Sequence, residues 1–212
     1  MRITVFGAAG GVGARVVAEA LSRGHEVTAV VRSRARFGEL PAAAYPRTGD
    51  ARNADDVAAL ATGQDVVISA TRPAPGQEHE LVTGTKALLA GLAGTDVRLL
   101  VVGGAATLTV PGTGGRTVVE DPDFPPAWRD IALACAGQLE VCRAETDVDW
   151  AYVSPPAFLE PGERTGAYRL GTDELLVGAQ GESRISVEDL AVALVDEAER
   201  PRHHRARFTV GY

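Results

Sequence analysis

The sequence predicts an α/β fold, a doubly wound parallel sheet covered by helices on both faces. Three observations predict it. Short β-branched apolar runs alternate with helix-period segments along the 212 residues, and that alternation makes parallel strands joined by crossovers. The run Val97 to Val102 is almost wholly apolar, as a strand buried on both faces is. Ile3 to Phe6 is followed by glycines at 7, 10 and 13, then by Val12, Val16, Val17, Ala20 and Leu21 at helical spacing.

That strand, glycine turn and helix make the phosphate-binding corner of a Rossmann-type sheet. Gly7 permits the tight turn, Gly10 and Gly11 let the backbone approach a pyrophosphate, and Gly13 lets the helix pack on the strand. The free N–H groups and positive dipole end of the helix then face the anion. The spacing is GxxGxxG rather than GxGxxG. An ordinary glycine-bearing βα turn is the alternative, and the strand that follows favours the dinucleotide reading.

Arg23-Gly24-His25 closes the first helix. Glu26 to Val31 is the second strand, and Arg32 follows it. An acidic residue here accepts from a ribose 2′-hydroxyl, whereas an arginine suits a 2′-phosphate. Arg32 therefore points to NADP(H) over NAD(H), with Ser33 and Arg36 as helpers; an exposed surface arginine is the alternative. Tyr45 to Thr48 is the third strand. Asp50 after it suits either the adenine amino group or a helix N-cap, and Asn53 is the better cap for a helix over Ala54 to Ala61. Asp65 to Ala70 is the fourth strand, with Ser69, Ala70 and Thr71 at the ligand-binding end. A helix spans Glu78 to Ala93. His79 at its start is a candidate acid or base, against an exposed first-turn histidine.

After Gly103-Gly104 a long irregular stretch runs from Ala105 to Pro126, a length typical of functional loops. Phe124 and Trp128 are candidate walls for an apolar substrate; plain packing of the loop is the equal alternative. A helix over Ala127 to Thr146 and a strand over Trp150 to Ser154 follow. Residues 160–184 are turn-rich and read as a small C-terminal substrate lobe within a single domain of residues 1–212. Tyr168 to Leu170 and Leu175 to Val177 are its candidate strands. Ser186 caps a helix over Val187 to Glu199, with Asp189 in the capping-box place. Phe208 to Gly211 is the last strand.

The 45% hydrophobic content suffices for a core. The net charge of −7 disfavours nucleic acid. The expectation is a cytoplasmic protein with no membrane span, no leader and a small-molecule substrate. Cys135 and Cys142 on one helix stand roughly 10 Å apart, too far for a disulfide. No metal is expected, since His79 with Glu78 and Glu80 lacks a second ligand pair. The basic run Arg200 to Arg207 reads as a solvated turn.

The segments GAAGGVGARVV (7–17), GDAR (49–52), ISAT (68–71), VVGGA (101–105), DWAYVSPPAF (149–158) and RISVEDLAVALVDE (184–197), with Arg32 after the second strand, carry a family likeness. The chain resembles an atypical short-chain dehydrogenase/reductase, of the NAD(P)H-binding or NmrA-like group related to biliverdin-IXβ (flavin) reductases. The resemblance implies that Gly7, Ala9, Gly10, Gly11 and Val12 meet the pyrophosphate and Arg32 the 2′-phosphate. It places Asp50 and Ala51 at adenine, Ala70 and Thr71 over the ribose, and Gly103 and Gly104 beside the nicotinamide ribose. Pro155 and Phe158 would flank the nicotinamide, and Phe158 would join Trp128 and Phe124 against the substrate. A homodimer is expected from the resemblance alone.

The chain departs from that family at the catalytic end. Four residues beyond Tyr45, Tyr152 and Tyr168 stand Gly49, Pro156 and Thr172, so the tyrosine–lysine pair of many relatives is missing. Gly103-Gly104 replaces a frequent serine or threonine. Gln138 is left as a weak candidate that hydrogen-bonds but donates protons poorly. The first reading is an NADPH-dependent oxidoreductase reducing a small, flat or apolar acceptor: a quinone, flavin, enone or carbonyl. A non-catalytic NADP-binding redox sensor or regulatory protein is the alternative. A nucleotide-dependent isomerase, epimerase or dehydratase is the third.

Overall fold

In the computed structural model, which describes residues 1–212, eight strands form one sheet. Numbered in chain order, they lie as β3 (Tyr45–Thr48), β2 (Glu26–Val31), β1 (Arg2–Phe6), β4 (Val66–Ser69), β5 (Arg98–Val102), β6 (Trp150–Ser154), β10 (Ala206–Gly211) and β8 (Arg169–Gly171). All neighbours are parallel except β10 and β8. The chain reverses its direction across the sheet between β1 and β4, which opens a crevice at their C-terminal ends.

The two-residue period of the strands assigns each side chain to a layer. Ile3 and Val5 of β1, with Val27 and Ala29 of β2, face α1 (Gly11–Ser22) and α5 (Val187–Glu199), meeting Val16, Val17, Leu190 and Leu194. Phe6, Val30, Val67, Leu99 and Val101 face the other way, towards α2 (Ala54–Ala61), α3 (Glu80–Leu92) and α4 (Arg129–Arg143). Asn53 caps α2 through the N–H groups of Asp55 and Asp56, and Ser186 caps α5 through that of Asp189. No helix is long and apolar enough to cross a membrane.

Four local expectations are corrected. The stretch around Tyr168 to Leu170 does not stay within a lesser lobe; as β8 it becomes the antiparallel edge of the main sheet. Leu175 to Val177 forms no strand. A separate parallel pair, β7 (Phe158–Glu160) with β9 (Arg184–Ser186), appears instead, too short for a periodic signal. Asp189 does not complete a capping box. Its buried carboxylate accepts from Thr165 Oγ1, the Gly166 N–H at 2.8 Å and the Tyr212 hydroxyl at 2.7 Å, tying the 160s and the last residue to α5.

The basic run before β10 is less solvated than its composition suggests. Arg207 is nearly buried and binds Thr107 Oγ1 at 2.7 Å and Asp173. His203 Nδ1 lies 2.9 Å from Glu197 Oε2. Glu197 in turn holds the buried Arg98 guanidinium at 2.7 Å. Burial pushes the Glu197 carboxyl up, but hydrogen bonds from Arg98, His203 and Arg202 together hold it below the usual 4.5.

A carboxyl depressed in the folded state stabilises it above the unfolded pKa, and the gain is lost as pH falls through the lower folded value. Arg98→Met leaves the buried Glu197 carboxylate without its main partner, at an expected cost of about 3 kcal/mol near neutral pH. Burial then raises the Glu197 pKa, so acid relieves the variant before it harms the parent. Urea unfolding at about pH 7 and about pH 4 should show the gap between the two proteins narrowing in acid; a constant or widening gap contradicts this assignment.

Candidate functional site

The turn after β1 is built for backbone rather than side chains. Gly7 has φ +79°, and a Cβ there would stand 2.5 Å from the Ala70 carbonyl oxygen. A Cβ on Gly13 would run into the Gly7 carbonyl. Both positions therefore require glycine, one for conformation and one for close approach. Gly10 N–H donates to Gly7 O at 2.8 Å and closes the turn. A Cβ on Gly11 would meet nothing within 4 Å, so this residue faces open space. No side chain caps α1, and no acid stands in its first turn. Its leading N–H groups are left for an anion, unlike those of α2 and α5.

These groups border a cleft of about 390 Å³. Gly7, Ala9, Gly10, Gly11, Val12, Arg32, Asp50, Ala51, Ala70 and Thr71 all line it. Ten residues chosen for one ligand thus come together from four strand ends. Three further lining residues, Leu159, Pro161 and Val187, come from the C-terminal region and were not anticipated. Nor were Arg15, Arg52 and Arg72, although Arg72 directly follows the strand-end residue Thr71.

Hydrogen bonding separates the candidate roles. Arg32 is exposed and makes no ion pair within the chain. Arg36 is committed to Glu39 at 2.7 Å and donates to the Ala9 carbonyl of the glycine turn at 3.0 Å. Asp50 does not cap α2. Its carboxylate takes the backbone N–H and Nε of Arg52, both at 2.9 Å. The Arg52 guanidinium holds the Asp50 carboxyl below its usual range. Arg52 also reaches Glu80.

The remaining candidates lie outside the cleft lining. Gly103 and Gly104 follow β5, where a Cβ on Gly103 would fall inside the Tyr152 ring. Tyr152 fills the space of the absent side chain. Its hydroxyl accepts from the Gly104 N–H at 3.3 Å and donates to the Cys135 carbonyl at 3.0 Å. Burial raises its pKa well above the usual phenol range, so this phenol is a fixed structural group. Burial likewise pushes the Cys135 thiol up to about 11, with the Arg72 charge pulling the other way.

Gln138 is buried between α3 and α4, donating to Thr85 Oγ1 at 3.1 Å. His79 is exposed just ahead of α3. Pro155 is buried and Phe158 is 61% exposed on β7. Trp128 and Phe124 each carry a guanidinium over one face, Arg72 at 5.5 Å and Arg129 at 6.0 Å. No group of three or more histidine, cysteine or acidic side chains is placed to hold a metal ion.

The model of the NAD(P)H-binding family matches residues 7–200. The chain belongs to the NAD(P)H-binding family. The Bacillus subtilis protein YwnB is 38% identical over 212 residues, covering 99% of this chain and 98% of YwnB. A Streptococcus pneumoniae structure with the provisional name NADH-flavin reductase has TM-score 0.89 and 35% identity, covering 100% of this chain and 99% of that one. A Bacteroides thetaiotaomicron structure provisionally named an epimerase also reaches 0.89, at 37% identity, covering 100% and 96%.

The Gly103–Tyr152 contact makes a stability prediction for this family member. Gly103→Ser is expected to cost about 2 kcal/mol by overpacking. Pairing it with Tyr152→Val should cost less than the two single changes summed, by about 1 kcal/mol or more. Thermal or urea unfolding of the four proteins measures this, and simple additivity would show that the two side chains do not compete for one space.

Proposed function

We propose that this protein is an NADPH-dependent oxidoreductase that reduces a small, flat acceptor of the quinone, flavin or enone type. The observation that carries the cofactor choice is Arg32: an unpaired guanidinium at the end of β2, lining the same cleft as the open N-terminus of α1. A free guanidinium there matches a 2′-phosphate and leaves a bare ribose hydroxyl without the carboxylate it prefers. The pneumococcal relative's name mentions NADH, and Arg32 is the reason to read the present chain differently.

The nucleotide supplies the hydride. The chain's part is to hold and align it. The N–H groups of Gly11 and Val12 with the α1 dipole receive the pyrophosphate, Ala70 and Thr71 face the ribose, and Leu159, Pro161 and Val187 add apolar lining. Beside Gly103 and Gly104 stand only the Tyr152 phenol, its hydroxyl already spent on the Cys135 carbonyl, and the Cys135 thiol, both raised by burial. An acceptor that takes its proton from solvent suits such surroundings. The same observation favours a second reading, an NADP-binding sensor with no turnover.

Titration of the purified protein should give tighter binding of NADPH than of NADH. Arg32→Ala should weaken NADPH by about 10-fold, the loss of one charge-assisted contact, and leave NADH unchanged. An unaltered preference removes Arg32 from the 2′-phosphate site. NADPH oxidation followed across quinones, flavins, enones and aldehydes separates the two readings: turnover supports the reductase, and tight binding without turnover supports the sensor.

A further inference from the structure

Five arginines line the cleft, and the chain's own carboxylates neutralise three of them. Arg15 is paired with Glu188 at 3.1 Å, Arg36 with Glu39 at 2.7 Å, and Arg52 with Asp50 and Glu80. Arg32 and Arg72 have no such partner. In a chain of net charge −7, five guanidiniums against the four carboxylates that pair with them leave a net positive crevice that draws anions into it. Arg32 follows β2 and Arg72 follows β4, with β1 between them. Strand spacing alone sets their backbones about 10 Å apart.

Arg72 is turned towards the other end of the cleft. Its Cζ lies 5.5 Å over the ring of Trp128, immediately before α4. Cys135, two turns into that helix, has its Sγ where a Gly104 side chain would go and is close enough to feel the Arg72 charge. Arg72 therefore reaches from the cleft lining to the neighbourhood of Cys135 and Gly104. The cation–π contact with Trp128 engages one face of the guanidinium and leaves its in-plane N–H groups free. Those donors match the paired oxygens of a phosphate, carboxylate or sulfonate. The pyrophosphate already has its donors in the open end of α1.

We propose that Arg72, held on Trp128, binds an anionic group of the acceptor and selects for it: the molecule reduced here carries a phosphate, carboxylate or sulfonate beside its flat ring system. This rests on the reductase reading for its use, but it is tested by binding alone. Flavin mononucleotide and riboflavin share one ring system and differ only in the terminal phosphate. Naphthoquinone sulfonate and naphthoquinone form a second such pair.

The experiment titrates both pairs against the full-length protein, with and without saturating NADP⁺, following flavin fluorescence or intrinsic tryptophan fluorescence. The parent protein should bind the anionic member of each pair about 10-fold tighter, as a charge-assisted contact allows. Arg72→Gln should abolish that difference, leaving the neutral members and NADPH within about 2-fold. Arg72→Lys should keep part of it, since charge remains while the planar fork is lost. A parent protein without anion preference, or binding none of the four probes, overturns the proposal. So does an Arg72→Gln variant that loses NADPH affinity while keeping the preference, because Arg72 would then serve the nucleotide. NADPH oxidation is scored separately: an Arg72-dependent anion preference without turnover retains this site and removes the reductase reading, whereas turnover without the preference does the reverse.

Discussion

Much of this structure depends on how near the first turn of α1 comes to the end of β1. Nothing larger than hydrogen fits on Gly13 beneath the Gly7 carbonyl, and nothing with a Cβ fits Gly7 against Ala70. The helix therefore starts directly at the strand end and aims its uncapped N-terminus into the crevice. The same placement lays Val16, Val17 and Ala20 along α5, against Leu190 and Leu194. Val187, which opens α5, then stands at the rim of the cleft with Leu159 and Pro161. One steric constraint in the glycine turn thus positions both the anion-facing corner and the apolar rim beside it.

Charge completes what packing begins. Residues 161–168 have no regular structure between β7 and β8, yet acids on α1 and α5 hold them in place. Glu19 takes the Arg164 guanidinium at 2.7 Å, Glu188 the Gly162 N–H at 2.8 Å, Asp189 the Gly166 N–H, and Asp196 the Tyr168 hydroxyl. Exposed ion pairs contribute little singly, but Glu19 and Asp189 are buried. Losing their partners leaves charge in the interior.

The framework was legible because its signals are local and periodic. β1, the glycine turn, α1 and β2 follow from residues adjacent in the chain, and the ten cleft residues named from the sequence line one cavity. What escaped reading is tertiary. β7, β8 and β9 have three residues each, too few to show a period of two. Asp189 sits where a capping box would use it, but three donors from distant segments compete for its oxygens and win. Asp50 looked free for adenine because its partner, Arg52, is only two residues away and carries no motif of its own. Tyr152 reads as one more apolar strand residue until its ring is seen in the space that Gly103 leaves empty.

That exchange of space between Gly103 and Tyr152 bears on the chemistry the cleft can support. Two relatives of equal structural similarity carry the names of a flavin reductase and an epimerase, so the names do not choose between hydride transfer and proton shuffling at carbon. Epimerisation and dehydration need an acid and a base poised on the substrate. Around Gly103 and Gly104 the titratable groups are a phenol and a thiol, both raised by burial, and the phenol's proton is committed to the Cys135 carbonyl. Hydride delivery to an acceptor that protonates from water asks for none of these groups. On the proposed reading it asks only that nucleotide and acceptor be aligned, which the cleft at the ends of β1, β2 and β4 is open to supply.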